Sequence, residues 1–301
     1  MAFLQLQLRC TLAQQPTVEE VLEAMGALSV TLADAHADAP DEQAIFEPGV
    51  GEMPLWSEIV VQALFDADAD PAVLREAVLS QVDTLDADAV AFEHVADQDW
   101  ERVWMDRYEP MPFGLRLWVY PSSIAPPEDA DSVVVTLDPG LAFGSGTHPT
   151  TALCLEWLDD LAARGELVGK RVLDFGCGSG ILAIAALKLG AEAADGIDND
   201  PQALVASADN AERNAVQLAV YLPEHDPAQR YPVVVANILA NALDALAEVL
   251  AARTEAGGRI ALSGILDGQE DELLLRYAPY FTNLRVSKRE DWIRIDGVRR
   301  A

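Results

Sequence analysis

The sequence predicts an α/β protein in which a doubly wound, mostly parallel sheet follows a smaller α+β unit. Up to about residue 95, strands with alternating apolar residues are mixed with two helices. From residue 113 onward, apolar strands alternate with helices, which is typical of a parallel sheet with helices on both faces. The last two strands follow each other without a helix between them, and this predicts one antiparallel strand in that sheet.

The first domain, residues 1–96, is predicted to contain four strands and two helices. The strands are expected at residues 3–9, 27–32, 57–65 and 87–95, and the helices at residues 17–26 and 71–82. Thr17 is expected to cap the first helix and Gly26 to end it. The order strand, helix, strand, strand, helix, strand suggests a ferredoxin-like sandwich.

A linker is predicted at residues 97–112. Residues 97–108 carry Trp100, Trp104 and Tyr108 along one helical stripe, and Pro110 and Pro112 end that helix. We interpret the aromatic stripe as packing between domains.

The second domain, residues 113–301, is predicted to be a Rossmann-like sheet. Its strands are expected at residues 171–175, 194–197, 220–222, 233–236, 259–263, 281–288 and 292–295. Its helices are expected at residues 150–161, 181–189, 201–213, 239–253 and 267–277. Asp200 is expected to cap the third of these helices, and Gly257-Gly258 to form a turn.

The charge of the chain disfavours several classes of partner. It has 50 acidic and 20 basic side chains and a formal net charge of −30, and its only lysines are Lys170, Lys188 and Lys288. The electrostatic field of so negative a chain attracts a basic partner. It repels nucleic acids and anionic membranes, because phosphates bind to clustered cations. An acidic surface that serves solubility or salt tolerance is the alternative explanation.

Targeting and metal-binding signals are weak. No apolar run approaches the roughly 20 residues that span a bilayer, and residues 1–11 alternate like a strand instead of forming a signal peptide. Cys10, Cys154 and Cys177 are an odd number without metal-type spacing, which disfavours a disulfide framework or a zinc site. We expect a cytoplasmic protein without a metal.

The central motif is VLDFGCGSG, residues 172–180, in which a strand enters a glycine loop and then a helix. Such a loop lets a ligand approach the bare backbone, and either a dinucleotide or S-adenosylmethionine could use it. Asp174 would repel a pyrophosphate but favour the cationic methionine end of S-adenosylmethionine. The spacing is G-x-G-x-G rather than G-x-G-x-x-G, and no Lys-Ser/Thr pair follows, which excludes a Walker-type nucleotide site.

Three further positions are candidates for the same site. Asp198 ends the strand after the glycine loop, where an acid can accept both hydroxyls of a ribose. Asn237 follows the strand at 233–236 and can present its amide oxygen to an N–H donor, although a loop asparagine can also simply form a turn.

In LDPGLAFGSGTHPTT, residues 137–151, Thr150 or Thr151 is expected to cap a helix and leave the other hydroxyl for a ligand. The same segment offers Phe143 as a cover for the ligand and His148 as a candidate acid/base.

Four motifs together, LDPGLAFGSGTHPTT, VLDFGCGSGILAIAALKLGA, GIDNDPQAL and VVVANILA, resemble the PrmA family, the methyltransferases of large-subunit ribosomal protein eleven. The resemblance covers residues 137–265. It implies that Thr151, Gly176, Asp198 and Asn237 contact S-adenosylmethionine, and that the first domain recognises the ribosomal protein. It also implies repeated methylation of lysine side chains and of the N-terminal amine. Ser145 stands where the family is expected to have threonine, and Asn241-Ala242 where it is expected to have Gly-Pro.

The hypothesis for catalysis is that Asn237 orients the acceptor amine and that no dedicated general base is needed. The expected partner is a basic ribosomal protein, without nucleic acid or membrane, and the expected state is a monomer. Three alternatives stay open. They are an NAD-dependent oxidoreductase, a methyltransferase of a small molecule or nucleic acid, and an assembly factor without turnover.

Overall fold

The computed structural model describes residues 2–37, 55–82, 85, 89–95, 109–126, 131–138 and 147–301. The chain divides into two compact units, Met1–Asp99 and Trp100–Ala301. The predicted linker helix at residues 97–108 lies outside the described residues, as do Phe143 and Ser145.

The N-terminal unit is an antiparallel sheet covered by two helices. Its elements are β1 (Phe3–Thr11), α1 (Gln15–Ala24), β2 (Ser29–Asp34), β3 (Glu58–Asp66), α2 (Pro71–Gln81) and β4 (Val90–Val95). The strands lie in the order β2-β3-β1-β4. Alternation along β1 buries Leu4, Leu6 and Leu8 on one face, where they pack with Val18 of α1 and Val78 of α2.

The start of α1 differs from the prediction. The helix begins at Gln15, so Thr17 lies inside it and does not cap it. The chain turns directly out of β1 instead, and both the backbone N–H and the hydroxyl of Thr11 donate to Oε1 of Gln14, at 2.9 and 3.0 Å. The second helix begins where predicted, because Asp70 accepts a hydrogen bond from the N–H of Ala72 at 2.8 Å.

A small three-stranded sheet opens the second unit and was not predicted. It consists of β5 (Met111–Phe113), β6 (Leu117–Tyr120) and β7 (Val133–Thr136), in that order. Pro112 therefore lies in a strand rather than at the end of a linker. The turn between β5 and β6 is held by the buried Asp159, whose Oδ2 accepts from the N–H of Leu115 at 2.6 Å.

The main sheet of the second unit has seven strands in the order β10-β9-β8-β11-β12-β14-β13. These strands are β8 (Arg171–Phe175), β9 (Ala193–Ile197), β10 (Leu218–Tyr221), β11 (Tyr231–Asn237), β12 (Thr254–Leu266), β13 (Phe281–Arg289) and β14 (Trp292–Arg299). Strand β14 is antiparallel to both of its neighbours, and the other pairs are parallel. The prediction of one antiparallel strand in a parallel sheet is confirmed.

Helices cover both faces of this sheet. They are α3 (Pro149–Ala163), α4 (Ile181–Lys188), α5 (Pro201–Arg213), α6 (Ala240–Ala245), α7 (Ala247–Arg253) and α8 (Glu270–Tyr277), with a short 3-10 turn at Pro223–His225. Alternate residues of β11 enter different cores. Val233 and Val235 pack with α3 and α4, and Val234 and Ala236 pack with α6, α7 and α8. None of the helices in the described part of the chain is long and apolar enough to cross a membrane.

Three predicted boundaries in the second unit were wrong. The single helix at 239–253 is split at Leu246, whose φ of −96° and ψ of 6° depart from helical values. The last helix begins at Glu270 instead of residue 267. The glycines 257 and 258 do not end a turn before a strand; they lie within β12, where the register with β11 shifts after Tyr231 and forms a bulge.

Candidate functional site

A cavity of about 500 Å³ opens at the carboxyl edge of the main sheet. The strand order reverses between β8 and β11, and in open α/β sheets such a reversal creates a crevice for ligands. The cavity brings together Thr151, Gly176, Asp198 and Asn237, the four residues that the sequence assigned to one site. They come from α3, from the segments after β8 and β9, and from the last position of β11.

The glycine loop forms one wall and cannot carry a side chain at its first position. Gly176 has a φ of +80°, and a Cβ atom there would lie 2.2 Å from Cγ2 of Ile238. The backbone N–H groups of Gly176 and Cys177 both donate to the carbonyl of Ile197, at 2.7 and 3.0 Å. These bonds tie the loop to the end of β9, so its backbone has a fixed position beside the cavity.

Asp198 connects the glycine loop to the next helix. Its Oδ2 accepts from the N–H of Gly178 at 2.8 Å, and its Oδ1 accepts from the N–H of Asp200 at 3.0 Å. Asp200 in turn caps α5 by accepting from the N–H of Gln202 at 2.9 Å, as predicted. A carboxylate has about four lone-pair sites, so each Asp198 oxygen can accept a further hydrogen bond from a ligand.

Asn237 and Thr151 meet across the cavity wall. The Asn237 amide nitrogen donates to the Thr151 hydroxyl oxygen at 3.3 Å. The Asn237 amide oxygen is buried, and no group among the described residues forms a hydrogen bond with it. A buried acceptor without a donor is costly, and such an atom in a cavity wall is a candidate contact for a ligand N–H.

The helix α3 is capped by a residue other than the predicted one. His148 is the cap: its Nδ1 accepts from the N–H of Thr150 at 3.3 Å and lies 2.7 Å from the Thr150 hydroxyl. Burial lowers the pKa of His148, which keeps the ring neutral and able to accept. The Thr150 hydroxyl therefore contacts the capping His148, whereas Thr151 lines the cavity. The His148 ring also packs edge-on to Trp292, with centroids 4.5 Å apart.

Asp174 lies beneath the glycine loop and is not part of the cavity wall. Its side chain is fully buried, its Oδ2 accepts from the N–H of Ala183 at 3.0 Å, and its Oδ1 has no partner among the described residues. Burial raises the pKa of this carboxyl to about 7, and the nearby charge of Asp198 adds to the increase. Asp174 therefore holds the start of α4 through the N–H of Ala183, and because its pKa is near 7 it is a weaker charge beside the cavity than its sequence position suggested.

Sequence reasoning missed the apolar part of the wall. The cavity is also lined by Phe175, Ile181, Leu182, Ile197, Pro223, Ile238, Leu239, Ala242 and Leu246. Their apolar character is the same signal that marks a core residue, so the sequence gives no separate sign of them. Of the atypical pair Asn241-Ala242, Ala242 is in this wall.

No lysine or arginine within the described ranges lines the cavity. Those ranges also contain no group of three His, Cys, Asp or Glu side chains that could hold a metal ion. The wall offers bare backbone, a carboxylate, an amide oxygen and apolar surface.

Comparison with known proteins gives a consistent result. The model of the family described as ribosomal protein L11 methyltransferase (PrmA) matches residues 2–300. A ribosomal protein L11 methyltransferase of Stenotrophomonas maltophilia (strain R551-3) is 63% identical over 306 residues, and one of Xanthomonas axonopodis pv. citri (strain 306) is 62% identical over 305 residues. In both cases 100% of each chain is covered.

A solved structure is also similar. The ribosomal protein L11 methylase of Lactobacillus delbrueckii subsp. bulgaricus is 30% identical with a TM-score of 0.57, and the match covers 64% of this chain and 100% of that one. The family model spans both compact units, and the four motifs that carry the resemblance include the four predicted site residues Thr151, Gly176, Asp198 and Asn237. The chain belongs to the ribosomal protein L11 methyltransferase (PrmA) family.

Proposed function

We propose that this chain transfers methyl groups from S-adenosylmethionine to lysine side chains and the N-terminal amine of ribosomal protein L11. Its family consists of methyltransferases, and its relatives are named for this substrate. The observation that carries the proposal is the cavity that unites Thr151, Gly176, Asp198 and Asn237. Membership of a methyltransferase family leaves no support for the alternative of an NAD-dependent oxidoreductase.

The wall of the cavity fits S-adenosylmethionine better than a dinucleotide. Its volume lies within the range of small-molecule sites. The backbone of Gly176 and Gly178 allows close approach, and Asp198 can accept from ribose hydroxyls. The absence of a basic side chain from the described wall suits a cation and not a diphosphate.

The acceptor must present a lone pair to the methyl group. A lysine amine at pH 7 costs about 4.6 kcal/mol to deprotonate, and an N-terminal amine about 1 kcal/mol. The cofactor supplies an activated methyl group, so the protein has to align the amine and exclude water. We propose that the unpartnered amide oxygen of Asn237 accepts from the amine N–H and directs its lone pair, while the Thr151 hydroxyl accepts a hydrogen bond from the Asn237 side chain.

We expect Asn237→Ala to reduce methyl transfer about 100-fold while the affinity for S-adenosylmethionine changes only a few-fold, because loss of positioning commonly costs this much. Single-turnover methylation of purified L11 and calorimetric titration of the cofactor measure the two effects. Gln217→Ala is the matched control, since it removes an exposed amide that does not line the cavity. Near-normal turnover in Asn237→Ala would exclude the orienting role, and equal loss of affinity and turnover would assign Asn237 to cofactor binding alone.

We also propose that the two domains have separate roles. Residues 1–96 form a ferredoxin-like domain that recognises the ribosomal protein, residues 97–112 link the domains, and residues 113–301 bind the cofactor. The order β2-β3-β1-β4, with two helices on the sheet, supports the ferredoxin-like assignment.

The net charge of −30 supports a basic protein as partner and disfavours direct contact with nucleic acid. We propose that the chain works as a monomer in the cytoplasm. Its three cysteines are free and buried, which suits a reducing compartment.

A further inference from the structure

A second cavity, of about 350 Å³, lies between the C-terminal half of α3 and the last strands of the main sheet. It is lined by Arg164, Arg259, Arg285 and Arg294, and we call it the arginine cavity. Arg259 is in the first half of β12, whereas Asn237 is the last residue of β11, at its carboxyl end. The arginine cavity is therefore displaced from the methyl-transfer site towards the amino ends of the parallel strands.

The register of the last two strands builds one side of the arginine cavity. Ser287 pairs with Arg294, and Arg285 pairs with Asp296, so the four side chains share one face of the sheet. The opposite face of β14 carries Ile293 and Ile295, which are buried in the core. A sheet face beneath a helix is usually apolar, and the arginines on this face depart from that pattern.

A backbone irregularity lies in the same wall. Asn283 lines the arginine cavity and has a φ of 54°. The register between β13 and β14 shifts between Thr282 and Arg285, which marks a bulge. Bulges change the direction in which side chains leave a strand and are common next to functional sites.

Positive charge is in excess in the arginine cavity. Arg164 pairs with Asp160 at 2.5 Å, Arg259 with Glu166 at 2.5 Å, and Arg294 with Asp296 at 2.8 Å. In the portion of the chain that the structure describes, no carboxylate pairs with Arg285. Four guanidinium groups thus face three carboxylates, in a chain whose formal net charge is −30.

Arg294 adds a buried donor that lacks an acceptor. Its side chain is only 11% exposed, and its two terminal nitrogens donate to the carbonyl of Leu153, to the Ser287 hydroxyl and to Asp296. Its Nε has no hydrogen-bond partner among the described residues. A buried charged donor without an acceptor is costly, and the remaining surface of the Arg294 side chain lines the arginine cavity.

We propose that the arginine cavity binds a phosphate group, either free orthophosphate or the phosphate of a monoester. Guanidinium groups match the oxygens of phosphate in bidentate geometry, and a phosphate carries up to two charges to balance the excess. Arg285 supplies guanidinium donors that no carboxylate among the described residues uses, and Arg294 adds a second positive charge to the same sheet face. The site is independent of the methyl-transfer reaction proposed above.

The test is a titration of the full-length protein with orthophosphate and with ribose 5-phosphate, against sodium chloride at equal ionic strength. We expect saturable binding in calorimetry and a shift of the Arg294 Nε–H resonance in ¹⁵N NMR spectra. Arg285→Gln should weaken phosphate binding at least tenfold, because hydrogen bonds between charged groups are strong. Arg276→Gln is the matched control, since Arg276 pairs with Asp244 outside this cavity and its loss should leave the affinity within twofold.

The two ligands distinguish the sources of the phosphate. Tighter binding of ribose 5-phosphate supports a phosphate monoester as occupant, and tighter binding of orthophosphate supports the free ion. A titration that chloride reproduces at equal ionic strength would overturn the proposal. So would an unmoved Arg294 Nε–H resonance, or equal affinities in Arg285→Gln and the unmodified protein.

Discussion

Burial of the Asp174 carboxyl makes the stability of the fold depend on pH. Its pKa is about 7 in the folded chain and 3.8 as its ordinary value, so between these values the folded chain holds a proton that the unfolded chain has released. The contribution of Asp174 to stability therefore falls as the pH rises from about 4 to 7. The slope is roughly 1.4 kcal/mol per pH unit, or about 4 kcal/mol over the window.

We expect Asp174→Asn to remove this loss, because the amide has no charged form. Denaturant unfolding of both proteins from pH 4.5 to 7.5 measures it: the variant should gain stability relative to the unmodified protein with each increase in pH. The comparison cancels the titration of other groups. Two curves that stay parallel across the range would show that Asp174 is not the titrating group.

The environments of Asp174 and His148 could not be predicted from the sequence. The charges of Asp174 and Asp198 were readable, and their places near the carboxyl ends of two parallel strands predicted that both lie at one edge of the sheet. The sequence held no sign that Asp174 is desolvated under the loop while Asp198 is half-buried at the cavity. Likewise, His148 rather than a threonine caps α3, because a neutral ring nitrogen can accept as a hydroxyl does.

At the scale of elements, the glycine loop depends on one position without a side chain. Ala at Gly176 would combine an unfavourable φ of +80° with a contact to Cγ2 of Ile238, whose branched side chain is stiff. Gly165 has a φ of +73°, and a Cβ atom there would meet no described atom within 4 Å, so Gly165→Ala carries the backbone cost alone. We expect that control to lose about 1–2 kcal/mol of stability.

Gly176→Ala should lose a further 1–3 kcal/mol, roughly the cost of overpacking a filled site. Its affinity for S-adenosylmethionine should fall at least tenfold, while Gly165→Ala keeps normal affinity. Thermal unfolding and cofactor titration measure the two quantities. Equal stability and equal affinity in the two variants would show that the loop moves aside without consequence.

The succession of strands and helices along the chain was predictable because apolar runs and turn residues indicate it directly. The antiparallel strand β14 followed from two successive strands without a helix, and Asp200-Pro201 marked a helix start. The split at Leu246 and the bulge at residues 257–258 were not predictable. Both depend on packing between distant elements, which local sequence does not encode.

At the scale of the whole molecule, the net charge of −30 should govern the encounter with a basic ribosomal protein. Long-range attraction raises association rates 10-fold or more at low salt, and ions screen it, with a Debye length of about 10 Å at 0.1 M and 3 Å at 1 M. We expect the small methyl donor to bind inside the cavity, so its affinity should depend less on the distant charges. Recognition of the protein substrate should therefore be the salt-sensitive step.

We expect kcat/KM for methylation of L11 to fall about tenfold between 50 mM and 500 mM sodium chloride. The affinity for S-adenosylmethionine should change less than twofold, and a short uncharged peptide with a free N-terminal amine should be methylated at a rate that hardly depends on salt. This peptide separates attraction of the substrate from chemistry at the cavity. If the acidic surface serves salt tolerance instead, activity towards L11 will hold or rise across the same range, and the electrostatic account of substrate capture will be wrong.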